Sequence, residues 1–139
     1  MNKEKTITVT TKVQSDLKQV WEVWTGPEHI KQWNSPSPDW HTPKAKNDLR
    51  EKGRFSYRME AKDGSMGFDF SGTYTKIVPY KHIAYTLDDD RKVSIDFKEM
   101  GDTVAITETF EPENENPIDM QRSGWQAILN AFKQYAEKH

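Results

Sequence analysis

Between residues 54 and 110 the chain alternates apolar and polar residues in five short runs, and this leaves few ways to fold. Residues 54–60 set Phe55, Tyr57 and Met59 against Arg54, Ser56, Arg58 and Glu60. Residues 66–74 set Met66, Phe68, Phe70 and Tyr74 against Asp69, Ser71 and Thr73. Residues 83–87, 92–98 and 103–110 repeat the pattern with Ile83, Tyr85 and Leu87, then Val93, Ile95 and Phe97, then Val104, Ile106 and Phe110. A period of two is the signature of a strand with one face buried. The breaks at Asp63-Gly64, Pro79, Asp88–Asp90 and Gly101-Asp102 are turns, too short for the crossover helix that parallel strands require. The sheet is therefore antiparallel and meandering, with one apolar face to be covered.

The cover comes at the end. From Asn116 to His139 the sequence reads as one amphipathic helix, with Asn116 expected as N-cap and Pro117 as first helical residue. Ile118, Trp125 and Phe132 recur every seven residues, and Ile128, Leu129, Tyr135 and Ala136 fill the same stripe. Before the sheet, residues 5–13 alternate around Ile7, Val9 and Val13 as a further strand. Ser15 or Asp16 then caps a short helix carrying Leu17, Val20, Trp21 and Trp24, whose two tryptophans read as core. Pro27 opens a second short helix with Ile30 and Trp33. Asn34–Lys44, with Pro36, Pro38 and Pro43, reads as a loop anchored by Trp40 over one end of the cavity between sheet and helix. The expected fold is α+β: a curved antiparallel sheet of six to seven strands around a long C-terminal helix, with two short helices after the first strand. No repeat or linker divides the chain, so residues 1–139 read as a single domain.

Four Leu, eight Ile, seven Val and six Phe are few for 139 residues, a deficit that raises the question of disorder. A net charge of only −2 and five Trp, five Tyr and six Phe answer it, because disordered chains carry charge imbalance and lack aromatics. The interior is built from large rings. The near-neutral balance, without a basic cluster, argues against a nucleic-acid partner. There is no Cys, and hence neither a disulfide framework nor thiolate chemistry. No apolar run approaches membrane-spanning length, so membrane insertion is not expected and a cytoplasmic location is. His29, His41, His82 and His139 lack metal-ligand spacing, and Asp88–Asp90 reads as a solvated turn, so neither metal nor cofactor is expected.

The inward rings of Trp33, Trp40, Phe55, Tyr57, Phe68, Phe70, Tyr85, Trp125 and Phe132 admit two readings. Each alone is core. As a set, under one helix and with few Leu to fill between them, they line a binding cavity. Glu108 shares the phase of Val104, Ile106 and Phe110, which aims a carboxylate at the covered face. It must there be partnered, protonated or near a mouth, unless a bulge turns it outward. Gln121 falls on the apolar seam one turn before Trp125, or else faces solvent near the helix start. Gly124 in mid-helix costs about 1 kcal/mol relative to Ala, a cost that a close approach of the backbone to the sheet or to a ligand would justify, packing against the sheet being the reading preferred.

Val20-Trp21-x-x-Trp24, the segment PEHIKQW from Pro27 to Trp33, Gly53-x-Phe55, Gly72-Thr73-Tyr74-x-x-Ile77-x-Pro79, Ile83-x-Tyr85 and Gly124-Trp125 with Leu129 follow one another over the whole chain. In this order and spacing they resemble the family named after the activator of the heat-shock protein 90 ATPase, within the START-like, helix-grip superfamily. The resemblance implies a deep cavity between sheet and C-terminal helix, and members that carry or sense small apolar ligands. It also implies relatives that are cyclases or hydratases, and a co-chaperone after which the family is named. Three functions follow as candidates: a non-enzymatic module holding a small apolar or amphipathic molecule; a cyclase- or hydratase-like enzyme with Glu108 as acid/base and Tyr57 or Tyr85 as donors; and a chaperone-contacting domain working through its outer surface.

Overall fold

A computed structural model describes residues 6–139. The described chain runs β1 (Ile7–Val13), α1 (Leu17–Thr25), α2 (Pro27–Trp33), β2 (Trp40–Asn47), β3 (Arg54–Ala61), β4 (Gly67–Val78), β5 (His82–Leu87), β6 (Lys92–Met100), β7 (Thr103–Phe110) and α3 (Ile118–Glu137). The seven strands form one antiparallel sheet in the order β1-β7-β6-β5-β4-β3-β2. Strands β2 to β7 are a meander, and β1 closes its far edge beside β7. The sheet curls into a half-barrel around α3, as the alternating runs and the closing amphipathic stripe require.

Local chemistry sets the two short helices. Asp16 is the N-cap of α1, accepting from the Gln19 backbone N–H at 2.7 Å. Gly26 separates the helices, and Pro27 stands in the first turn of α2, where its missing N–H costs nothing. Trp33 at the end of α2 donates its indole N–H to the Val23 carbonyl at 2.9 Å, fastening the two helices together.

Two expectations are corrected. The stretch after Asn34 is not loop throughout, because Trp40–Asn47 is the edge strand β2. Its pairing with β3 jumps from His41↔Glu60 to Lys44↔Arg58, so Thr42 and Pro43 together face Met59 across a bulge. A proline at an edge-strand bulge breaks no ladder bond that the sheet needs. The helix start also differs. Pro117 is the N-cap and makes no side-chain cap, while the Asn116 amide is spent on Glu113 Oε2 at 2.6 Å.

The space between sheet and α3 is filled unevenly. Under the C-terminal half of α3, Leu129, Phe132 and Ala136 are fully buried. Phe132 stands edge-on to Trp24 and Trp33, with ring centres 4.8 and 4.9 Å away, and Trp24 meets Phe97 edge-on at 5.6 Å. This end is solid, and each buried ring contributes about 1.5–3 kcal/mol of burial. Under the N-terminal half of α3 the packing opens.

Candidate functional site

Five inner-face rings of β3, β4 and β5, Phe55, Tyr57, Phe70, Tyr74 and Tyr85, frame the open end. Phe55 lies directly across from Gly72, where a β-carbon would come within 2.5 Å of the Thr86 carbonyl oxygen and 3.2 Å of the Phe55 ring. That absent side chain gives Phe55 its seat. From there its ring reaches Tyr85 at 4.7 Å, Tyr57 at 5.2 Å and Tyr74 at 5.2 Å. Phe70 and Tyr57 stack at 6.3 Å. From above, Trp125 of α3 lies flat on Phe110, 3.8 Å away and 9° from parallel, and turns an edge to Phe70 at 5.9 Å.

These rings enclose a hollow of about 260 Å³. Of the residues singled out in the sequence, Trp33, Phe55, Tyr57, Phe68, Phe70, Tyr85, Glu108, Gln121 and Trp125 line it. Two do not. Phe132 belongs to the solid end, its ring wedged between two tryptophans. Trp40 borders a second, shallower hollow of about 240 Å³ with Pro36, Phe68, Met120 and Gly124. That outer hollow shares Met59, Phe68, Trp125 and Ile128 with the inner one, so the two adjoin. Trp24, read as core from its helical stripe, lines the inner hollow as well. Tyr74, Met59, Ile83 and Ile128 complete its apolar wall, and all four share a strand or helix phase with residues already singled out. Arg91 and Asn34 reach it from a turn and a helix end, where periodicity gives no signal.

Glu108 is buried, 7 % exposed, on the inner face of β7. Its neighbours directly across the sheet are Val9 on β1 and Ile95 on β6, both buried, so no cation flanks it there. Neither a hydrogen bond nor an ion pair to it is made among the described residues, and its carboxyl group lines the hollow. Burial in these surroundings pushes it up from 4.5 to about 8. Burial also raises Tyr85 well above the ordinary tyrosine range, with the nearby Glu108 charge adding to the rise, and raises Tyr57 likewise. Tyr74 is pushed up to about 12 by burial and donates its hydroxyl to Asn47 Oδ1. The three hydroxyls are therefore neutral donors throughout the physiological range.

The side-chain amide of Gln121 and the charged groups of Glu113 and Arg91 around the hollow are occupied. Gln121 is buried on the seam, where its Oε1 accepts from the Glu113 backbone N–H at 2.9 Å. Its Nε2 donates to the carbonyls of Glu113 and Asn116 at 3.1 and 2.8 Å. It holds the connection leading into α3. Glu113 accepts from the N–H groups of Glu115 and Asn116 and from the Asn116 amide. Arg91 donates from Nε to Asp89 at 2.8 Å. Gly124 departs from the packing expectation, since a β-carbon there would meet nothing within 4 Å. It faces the outer hollow beside Met120, itself 59 % exposed. Among the described residues no group of three or more His, Cys, Asp or Glu is placed to hold a metal ion. No described helix is long and apolar enough to cross a membrane.

The model of the family described as activator of Hsp90 ATPase homolog 1-like protein matches residues 14–137. An AHSA1-like protein from Aeromonas hydrophila is 37% identical, with 96% of this chain and 93% of that one covered, at a TM-score of 0.90. A protein from Cytophaga hutchinsonii is 50% identical over 95% of this chain and 92% of its own, at 0.83. A protein from Chromobacterium violaceum, 20% identical over 96% and 98%, shares the fold at 0.86. No curated protein matches.

Proposed function

The chain belongs to the activator of Hsp90 ATPase homolog 1-like family, and we propose that it is a non-enzymatic binding protein holding a small apolar or amphipathic molecule between its sheet and its C-terminal helix. What carries this reading is the uneven packing under α3. One end of the helix is sealed by Trp24, Trp33 and Phe132, while the other stands over a ring-walled space with a single unpartnered carboxyl group. Preformed, mostly apolar hollows with few polar groups are what small ligands occupy.

The test is binding of a neutral apolar naphthalene dye, followed by fluorescence, to the purified protein and to Ile128→Trp, which adds bulk to the wall. The native chain is expected to bind one dye per molecule, with affinity lost in the variant. Equal dye binding by a folded Ile128→Trp would refute the reading. Native mass spectrometry of freshly purified protein adds a search for a retained small molecule.

The nearness of Tyr85 to Glu108 favours a second reading, an acid–base catalyst of the cyclase or hydratase kind. In that case Glu108→Gln lowers turnover of a bound substrate by about 10²–10⁴-fold while leaving its affinity nearly unchanged.

A further inference from the structure

We propose that the molecule held in the hollow is an organic cation: a protonated amine carried on an apolar or aromatic body, its nitrogen set against the Glu108 carboxylate. This rests on the binding reading above and adds the chemical class of the ligand. The first observation is the carboxyl group itself. Glu108 is more than nine-tenths buried, lines the hollow and has no partner among the described residues. The residues across the strand from it, Val9 and Ile95, supply neither donor nor charge. A carboxyl group that opens onto an enclosed hollow and is answered by nothing else in the fold is free to pair with a ligand donor.

The second observation is the state of every other charge facing the same space. Arg91, from the β5–β6 turn, is engaged by Asp89, and Glu113, from the β7–α3 connection, holds the backbone before α3. Gln121 of α3 is committed at both ends. From β3, β4 and β5 only the hydroxyls of Tyr57, Tyr74 and Tyr85 remain, and Tyr74 is committed to Asn47. The group left open is therefore an acid. An ammonium ligand supplies the counter-ion that lets this carboxyl group ionise inside the hollow, whereas a neutral or anionic ligand leaves it protonated.

The third observation is the wall. Phe55, Tyr57, Phe70, Tyr85 and Trp125 present ring faces and edges around the space. Ring faces carry partial negative charge and attract cations, most strongly where water is excluded. A carboxylate at one point of an aromatic enclosure answers the two halves of such a ligand at once, its charged head and its apolar body.

Binding also carries a proton signature. An ammonium group draws Glu108 into its charged form, so the carboxyl proton leaves for the solvent as the ion pair forms. The experiment is calorimetric titration near pH 7 with phenethylammonium, its neutral counterpart phenethyl alcohol, and the anion hydrocinnamate, in buffers of different ionisation enthalpy. The ammonium probe is expected to bind about tenfold or more tightly than the alcohol, with the anion weakest. It should release about one proton per molecule bound. Glu108→Gln should bring ammonium and alcohol to within about threefold of each other and abolish the release, because the amide keeps the shape but neither the charge nor the proton. Alcohol binding as tightly as ammonium in the native chain, or an ammonium preference that survives in Glu108→Gln, overturns the inference. If the naphthalene dye binds but none of the three probes does, the inference falls and the binding reading stands. If the dye fails as well, both fall.

Discussion

Glu108→Gln should make the protein more stable, and by an amount that depends on pH. In the folded chain the carboxyl group titrates at about 8, against an ordinary value of 4.5. Below about pH 4.5 it is protonated in both folded and unfolded states, and the glutamine variant and the native chain should differ little. As pH rises above 4.5 the unfolded chain releases this proton while the folded chain holds it, so the native protein loses stability as pH rises. The slope is about 1.4 kcal/mol per pH unit for one proton, and it continues until the folded group ionises near pH 8. Over that window the loss comes to roughly 5 kcal/mol, a large part of the stability of a domain this size. Glutamine has no proton to hold, so the difference between the two proteins isolates Glu108 from every other titrating group. Guanidinium unfolding of both chains at about pH 5 and pH 8.5 measures it. The variant's advantage should be small at the lower pH and several kcal/mol at the higher. An equal difference at both would refute the burial argument, and a native chain gaining over the variant as pH rises would show a hidden cation beside the carboxylate.

The two ends of α3 should respond differently to truncation. Phe132→Ala, in the solid end, is expected to cost about 4–5 kcal/mol, whereas Trp125→Ala, stacked on Phe110 but open toward the hollow, should cost about 2–3 kcal/mol. Denaturant midpoints of the two variants give the comparison, and a larger loss at Trp125 would contradict it. Gly72→Ala should destabilise by about 1–3 kcal/mol and shift Tyr57 and Tyr85 ring signals in NMR spectra, because the added methyl group takes the seat of Phe55. Gly124→Ala should stabilise by up to about 1 kcal/mol in thermal unfolding, since the methyl group meets only open space and the helix gains propensity.

How much of this was legible in the sequence follows from what periodicity measures. The strands around Phe55, Phe70, Tyr85, Ile95 and Ile106 declared themselves because one face of each is apolar, and the same count placed Glu108 inward. Strand β2 stayed hidden because three prolines hide an edge strand whose bulge absorbs one of them. Asn116 looked like a cap because its type is right, but nearby Glu113 competes for its amide. Inward phase cannot separate a wall from a filled core. Phe132 and Trp125 lie one heptad apart on the same stripe, yet only Trp125 borders the hollow, and that depends on where Trp24 and Trp33 cross the helix. Gly124 posed the opposite problem, since a gap and a close contact both call for the smallest residue.

The uneven seating of α3 divides the molecule's tolerance for change. Its last turns, with Phe132 and Ala136 fully buried, are fixed by the need to fold at all. In its first half, Met120, Gly124 and Ile128 lie along open space and can change with less penalty to the scaffold than Gln121 or Trp125. Under the binding role proposed above, changes near the end of this helix cost the fold, while changes at Met120, Gly124 and Ile128 reshape the hollows first. Under that same role the aromatic cluster beneath one half of α3 keeps the scaffold folded while the other half is free to fit a different ligand.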